Sequence, residues 1–362
     1  MTVLVHKYLK KISNINKFRL KAILYIAVFW TLTDLVTVLL RDDETNTKSL
    51  WVRELTIFFI SIIIAYIFIF KLRKIFLGYP RWLSFGLKSL ILLSSAFIIN
   101  FIIHYFNHII IYNETSSVAI NYILSYAFHK DWLVQKVLYW IIIFFITQLF
   151  LIINEKYSPG VFLDILLGRY IEPKIEKRIV MFMDLKDSTP IAERLGHQLY
   201  FKFIRDFIYQ ASLAIIEFEG TIYQYVGDEI VASWLFEKKN KRKTKNIRKA
   251  LGAIIESRRN IQRKSGYFKK RYGVVPEFRV GVHLGDVTVG EIGVIKKDLA
   301  MSGDTVNTTA RIRSASDELN HQFIASKDFI ENIDLKRWKS ASLGIVDLKG
   351  KETGIELFSL EI

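Results

Sequence analysis

The apolar residues of this chain dictate a multi-pass α-helical membrane half followed by an α+β domain. Long, nearly uncharged apolar runs are confined to the first 153 of 362 residues, and their length matches the thickness of a bilayer. Beyond residue 178 the apolar residues instead come in short β-rich runs that alternate with helix-spaced segments. No dinucleotide-type glycine fingerprint accompanies that alternation, which points away from a doubly wound sheet. The boundaries read as a membrane domain over 1–153 with four transmembrane helices, a linker or transducer helix over 154–177, and a second domain over 178–362.

Charge and composition exclude several classes. The formal net charge is +16, yet Lys and Arg flank the apolar runs and fill one loop, so a nucleic-acid partner is not expected. There is no cysteine, which removes disulfides, thiolate zinc sites and cysteine nucleophiles. The first apolar run is long and lacks a small-residue cleavage site, so no cleavable signal peptide is expected.

Four spans are expected, at Ala22–Leu40, Leu55–Phe70, Ser89–Tyr112 and Val134–Ile153. Basic residues concentrate before the first and between the second and third, among them Lys71, Arg73, Lys74 and Arg81. The positive-inside rule places both segments, and hence both termini, in the cytoplasm of a plasma (inner) membrane protein embedded in the lipid bilayer. Asp34 lies within the first span, where a carboxylate is costly unless it reaches water or serves a function. His104 and His108, four apart in the third span, share a helix face and suit interfacial hydrogen bonding or a haem or metal role. The loops are too short for a folded sensor domain.

In the linker, Ser158-Pro159-Gly160 is a break and Val161–Tyr170 reads as an amphipathic helix of about three turns. The run Ile179–Met183 follows as a buried strand ending in Asp184. Ile191–Phe218 has helical spacing, and Thr221–Val226, Gly227-Asp228 and Ile230–Trp234 read as a hairpin. If the hairpin pairs beside the first strand, Asp184 and Asp228 meet at one end of the sheet. Two hard carboxylates sharing a spot repel unless a cation lies between them, which points to Mg²⁺ or Mn²⁺. The charge run Glu237–Lys249 reads as a solvated loop leading into a helix at Ala250–Lys264, with attraction to anionic headgroups as the alternative. Glu277–His283 and Val287–Ile292 read as strands on either side of a Gly-rich turn. Thr305–Ala315 reads as a helix, and Ile345–Leu348 and Ile355–Ile362 as closing strands.

Five segments, FMDLKDST, YVGDE, GVHLGDVTVGEIG, SGDTVNTTARI and LKGKE, fall in one order over the second half. In these segments the sequence resembles the class III nucleotidyl (adenylate and guanylate) cyclases, from about Glu176 to the C-terminus. The resemblance implies a ferredoxin-like core and conversion of a nucleoside triphosphate, ATP by default, to a 3′,5′-cyclic nucleotide and pyrophosphate. It also implies two Mg²⁺ or Mn²⁺ ions per site, held by Asp184, Asp228 and the backbone carbonyl of Leu185. Amides from Lys186, Asp187, Ser188 and Thr189, entering a helix, suit phosphate. Asn307 matches the family's ribose-orienting Asn, and Arg311 its charge-stabilising Arg, a task for a guanidinium that never loses its charge. Lys349 matches the lysine for the terminal phosphates, with Lys351 as its substitute. Arg313 points elsewhere on the helix and is expected to be structural. Glycines 281, 285, 290 and 293 are expected to serve tight turns and close packing.

In the family one subunit supplies the metal residues and the other the Asn, Arg and Lys, so a single catalytic half implies a head-to-tail homodimer. The chain departs from the family at the base-reading positions, which are Gln224 and Ala300 here. A Gln amide both donates and accepts, whereas Ala300 reads nothing, so GTP and pyrimidine triphosphates stay open beside ATP. A non-catalytic nucleotide-binding receptor on the same fold is the competing reading. A diguanylate cyclase is not expected, because no GGDEF-like sequence occurs.

Overall fold

The computed structural model describes residues 13–40, 47–76, 78–127, 130–156, 164–165, 167–236, 240–295, 298–332, 339–351 and 353–361. The chain divides into two compact units, Asn16–Lys156 and Tyr157–Ile362, the second together with the residues up to Ile15.

The first unit is helical: α1 (Asn14–Leu40), α2 (Thr47–Tyr66), α3 (Arg81–Phe106), α4 (Ser116–Ala127) and α5 (Lys130–Lys156). Among the described residues, three helical stretches, Asn14–Leu40, Thr47–Leu72 and Trp82–Ile111, are long and apolar enough to cross a membrane by length and composition. The fourth expected span falls in α5, where the described apolar stretch, Val137–Ile153, is shorter. The connection before it is not simply polar, since α4 intervenes. Trp30, Ile57, Leu92, Ile99, Trp140 and Phe144 pack into one apolar cluster. Asp34 does not reach water as the sequence allowed: it is 3% exposed and accepts two hydrogen bonds from the Arg53 guanidinium. Pairing is what makes a buried charge tolerable. His108 sits in a π-helical segment, Asn107–Ile111, with Nδ1 2.5 Å from Glu114 Oε2.

The expected linker helix lies partly outside the described residues; within it residues 164–165 are helical and residues 167–170 are turn.

In the second unit the strands are β1 (Lys174–Leu185), β2 (Thr221–Val226), β3 (Glu229–Leu235), β4 (Phe278–Ile292), β5 (Asp298–Ser302), β6 (Phe323–Ser326), β7 (Lys339–Val346) and β8 (Ile355–Glu361). The helices are α6 (Ser188–Glu217), α7 (Asn240–Arg263), α8 (Ser265–Tyr272), α9 (Asp304–Glu318) and α10 (Lys327–Ile330). The sheet runs β2-β3-β1-β4-β6-β8-β7, with β5 on β4, and among the described residues only β4–β6 is a parallel pairing. The β2–β3 hairpin therefore does lie beside β1, joined to it antiparallel through β3.

Alternation along β1 divides the core. Ile179, Met181 and Met183 face one side and pack with Phe203, Phe207 and Ile215 of α6. Val180 and Phe182 face the other, with Val231 of β3 and, at its margin, Val306 and Ala310 of α9. Side chains two apart share a face, so Asp184 belongs to the α9 side.

Two elements differ from the sequence reading for physical reasons. The Gly-rich turn expected near residue 285 is instead the middle of the continuous strand β4, where Gly285 pairs with Arg178. Glycine is needed there for space, since a Cβ would lie 2.4 Å from Thr305 Oγ1. The basic run after Glu237 is mostly the first turns of α7 rather than a loop, as Lys and Arg are good helix formers. Of the expected strand Ile345–Leu348 only Ile345 and Val346 are strand, as the end of the longer β7, and residues 347–348 lie beyond it.

Candidate active site

Asp184 is the penultimate residue of β1, and Asp228 lies in the tight turn between β2 and β3. In the β1–β3 register Met183 opposes Ile230, so the next position sets Asp184 against Glu229. Three carboxylates thus converge at one sheet end. Burial raises the Asp184 carboxyl above its ordinary range; Arg313 pulls it back and the Asp228 charge adds to the rise. Glu229 is raised for the same first reason, again opposed by Arg313.

Arg313 points elsewhere on the helix than Arg311, as expected, and that direction is towards the carboxylates: Nη1 lies 3.1 Å from Asp184 Oδ2 and Nε 2.9 Å from Glu229 Oε2. The Nε–H is not aimed at that oxygen, so this second contact is an ion pair without a hydrogen bond. Glu229 was missed from sequence, though its place directly after Asp228 was the available signal.

The donor set fits a hard divalent cation. Asp228 Oδ2 is buried with no hydrogen-bond partner, a costly condition that a ligand would relieve. All the donors are oxygens, as Mg²⁺ and Mn²⁺ prefer. Leu185, whose carbonyl is the expected third donor, is 2% exposed, and its side chain is anchored in the core. Among the described residues, no three His, Asp or Glu side chains are already drawn into a metal-binding group.

Beyond β1, the Lys186 amide donates to the Glu277 carbonyl at 2.9 Å and its Nζ lies 3.3 Å from Glu277 Oε2. That amide is committed, so it leaves the expected phosphate set. Asp187 takes a left-handed conformation, and Ser188 and Thr189 open α6, where amides point out of the helix end.

On α9, Asn307 is exposed and Arg311 half-buried. The Arg311 guanidinium lies against the Lys349-Gly350-Lys351 turn, close enough that a Cβ on Gly350 would come within 3.3 Å of Nη2. Lys349 is exposed, whereas the Lys351 ammonium is 2.7 Å from Asp304 Oδ2. Lys349 is the better placed of the two for a ligand. Arg311 and Arg313 are two residues apart, about 200° around the helix. One faces the turn and the other the carboxylates.

Gln224 follows an irregularity in the β2–β3 pairing and is exposed; Ala300 pairs with Gly290 across β4 and β5. Strands β2 and β5 approach one another, which brings these two strands to a common region.

This architecture belongs to nucleotide-cyclising domains. Residues 172–361, just over half of the chain, match the family described as adenylate and guanylate cyclase catalytic domain, and the chain belongs to that family. It is 30% identical over 209 residues to adenylate cyclase 2 of Rhizobium meliloti, a match covering 58% of this chain and 56% of that protein. To the adenylate cyclase of Anabaena cylindrica it is 24% identical over 222 residues, covering 57% of this chain and 42% of that one. The chain thus spans about half the length of these curated relatives. Among solved structures, a bacterial light-regulated adenylyl cyclase shares the fold, with a TM-score of 0.50 and 20% identity, over 60% of this chain and 62% of that one.

Proposed function

We propose that this protein is a membrane-anchored nucleotidyl cyclase that turns a nucleoside triphosphate, ATP by default, into its 3′,5′-cyclic nucleotide and pyrophosphate. The observation that carries the reading is the meeting of Asp184 with Asp228, whose buried Oδ2 lacks a partner. In the reaction the ribose O3′ bonds to the α-phosphorus, the bond to pyrophosphate breaks, and the 3′-hydroxyl proton passes to solvent water. Asp184, Asp228 and the Leu185 carbonyl would hold two divalent ions, which when bound supply an acidified hydroxyl and charge neutralisation at the triphosphate.

The remaining work falls to this chain's own side chains. Asn307 orients the ribose, Arg311 offsets charge gathering at the α-phosphate, and Lys349 holds the terminal phosphates. The Ser188 and Thr189 amides at the start of α6 add donors for phosphate oxygens. Because Arg311 and the carboxylates lie on different sides of α9, one subunit supports each half of a site. A head-to-tail homodimer completes two sites. The apolar helices of the first unit support residence in the plasma (inner) membrane, with both termini cytoplasmic by the placement of basic residues.

Gln224 and Ala300 support loose base selection, so GTP and pyrimidine triphosphates stand as alternative substrates. The test is to incubate the full chain, in nanodiscs with Mn²⁺, with each of the four ribonucleotides and identify cyclic products. Asp184→Ala and Asp228→Ala should each abolish product while the fold is retained. Near wild-type turnover by either at saturating Mn²⁺ would defeat the assignment, and absence of any product from the wild type would favour a nucleotide-binding receptor.

A further inference from the structure

Arg313 has no task in the chemistry above, yet it is the cation nearest the expected metal carboxylates. Its root is fixed, because α9 lies so close on β4 that a Cβ at Gly281 would come within 2.5 Å of the Arg313 backbone nitrogen. The helix offers it Asp317, four residues on and a natural partner, but Asp317 is paired with Arg279. The guanidinium therefore reaches across to Asp184 at 3.1 Å and Glu229 at 2.9 Å, with side chains only 20% and 12% exposed. The β1–β3 register places both carboxylates on the same face of the sheet, the one that α9 covers. Asp228 contributes a third carboxylate that makes no hydrogen bond through Oδ2.

Resting on the metal reading above, we propose that Arg313 is a positioning residue, a built-in counter-cation of the metal site with Glu229 as its resting partner. In the metal-free state the guanidinium neutralises Asp184 and holds its carboxylate towards Asp228. A divalent ion held by Asp184 would compete with this contact for the carboxylate charge, and Glu229 would retain the guanidinium beside the site. The pair thereby sets metal affinity. Arg313 weakens it by competing for Asp184, and Glu229 strengthens it by drawing Arg313 away. A fork-shaped, permanently charged group suits two carboxylates at once better than a lysine would.

The test is Mn²⁺ binding to the full chain in nanodiscs without nucleotide, titrated by the electron-spin resonance of free Mn²⁺. Arg313→Gln should tighten Mn²⁺ binding about fivefold and Glu229→Gln should weaken it about fivefold, the size of an ordinary coupling between sites. The double variant should bind Mn²⁺ within about twofold of Arg313→Gln, since Glu229 acts only through Arg313 and has nothing to draw away once the guanidinium is gone. A residue that served packing alone would lower thermal stability in both variants and leave the Mn²⁺ Kd unmoved. Unchanged affinity in both, or a loss in Arg313→Gln, overturns the inference. If Arg313→Gln does not fold, Glu229→Gln decides by the same criterion. Asp228→Asn separates the two levels. Should it lose Mn²⁺ binding while the Arg313 and Glu229 variants match wild type, this inference falls and the metal reading stands. A wild type that binds no Mn²⁺ defeats both.

Discussion

Gly281→Ala adds one methyl group where the structure has no room for it. The new Cβ would lie 2.5 Å from the backbone nitrogen of Arg313 and 2.8 Å from its Cα. Both are backbone atoms, so no side-chain rotation relieves the clash. Ordinary contact begins at about 3.4 Å, which requires α9 to withdraw from β4 by about 0.9 Å. Overpacking of this kind costs about 1–3 kcal/mol. The larger effect should be on rate, because α9 carries Asn307, Arg311 and Arg313 together, and a displacement of about 1 Å at reacting groups can cost about a hundredfold. The expected outcome is a folded protein with kcat lowered about a hundredfold and a lower Tm, measured on the full chain by cyclic-nucleotide release and thermal unfolding. Gly266→Ala, where an added Cβ in α8 meets nothing within 4 Å, is the control and should leave kcat unchanged without lowering Tm. A Gly281→Ala enzyme within twofold of wild-type kcat would show that the spacing of α9 on the sheet does not set the site geometry.

Asp228→Ala and Arg311→Ala should each be inactive alone and regain part of the activity when mixed, since a heterodimer holds one site with both defects and one with neither. No recovery in verified heterodimers would exclude the head-to-tail arrangement. With Gln224 and Ala300 as base readers, kcat/KM for ATP and GTP should differ by less than about a hundredfold, because Ala300 has no polar group to leave unpaired; rejection of GTP by several thousandfold would mean that other residues read the base. Burial lowers the His283 pKa below its ordinary value, with Asp328 opposing and Lys351 assisting. The unfolded chain then takes up the proton more readily, so stability is full above about pH 6.5 and declines as pH falls towards the folded-state value. Exchange protection of β4 and β6 amides, corrected for intrinsic rates, should drop between pH 7.5 and 5.5 and should do so less in His283→Gln; an identical drop in both would assign the pH dependence elsewhere.

The approach of Asp184 and Asp228 was legible because each closes a short apolar run, and strand pairing brings such ends together. The same alternation that buries Val180 and Phe182 against α9 also delivers Asp184 to Arg313, but that follows only when the helix layer over each face is known. Spacing along the helix separated Arg313 from Arg311 correctly and could not say what lay opposite. Gly285 reads as a turn because glycine usually marks one; its actual reason, the Thr305 side chain above it, is a contact between distant segments. The basic run before residue 250 misled in the opposite direction, since charge signals solvent and says little about backbone conformation. Asp34 was recognisable as an anomaly, while its partner Arg53 lay in the next helix, invisible to a reading of one span at a time.

Helix α9 presents Arg313 to the carboxylates of its own subunit and, about 200° around its axis, Arg311 to the Lys349–Lys351 turn. In a head-to-tail pair those two faces serve different active centres. One stiff rod, anchored on β4 by the absence of a side chain at Gly281, then belongs to both. Any tilt of α9 caused by nucleotide in one centre is felt at the other within two residues, with no loop or interface between them to absorb it. The two centres of such a dimer should therefore titrate with Hill coefficients that depart from one, and a change at Gly281 that loosens the rod should bring them back towards independence.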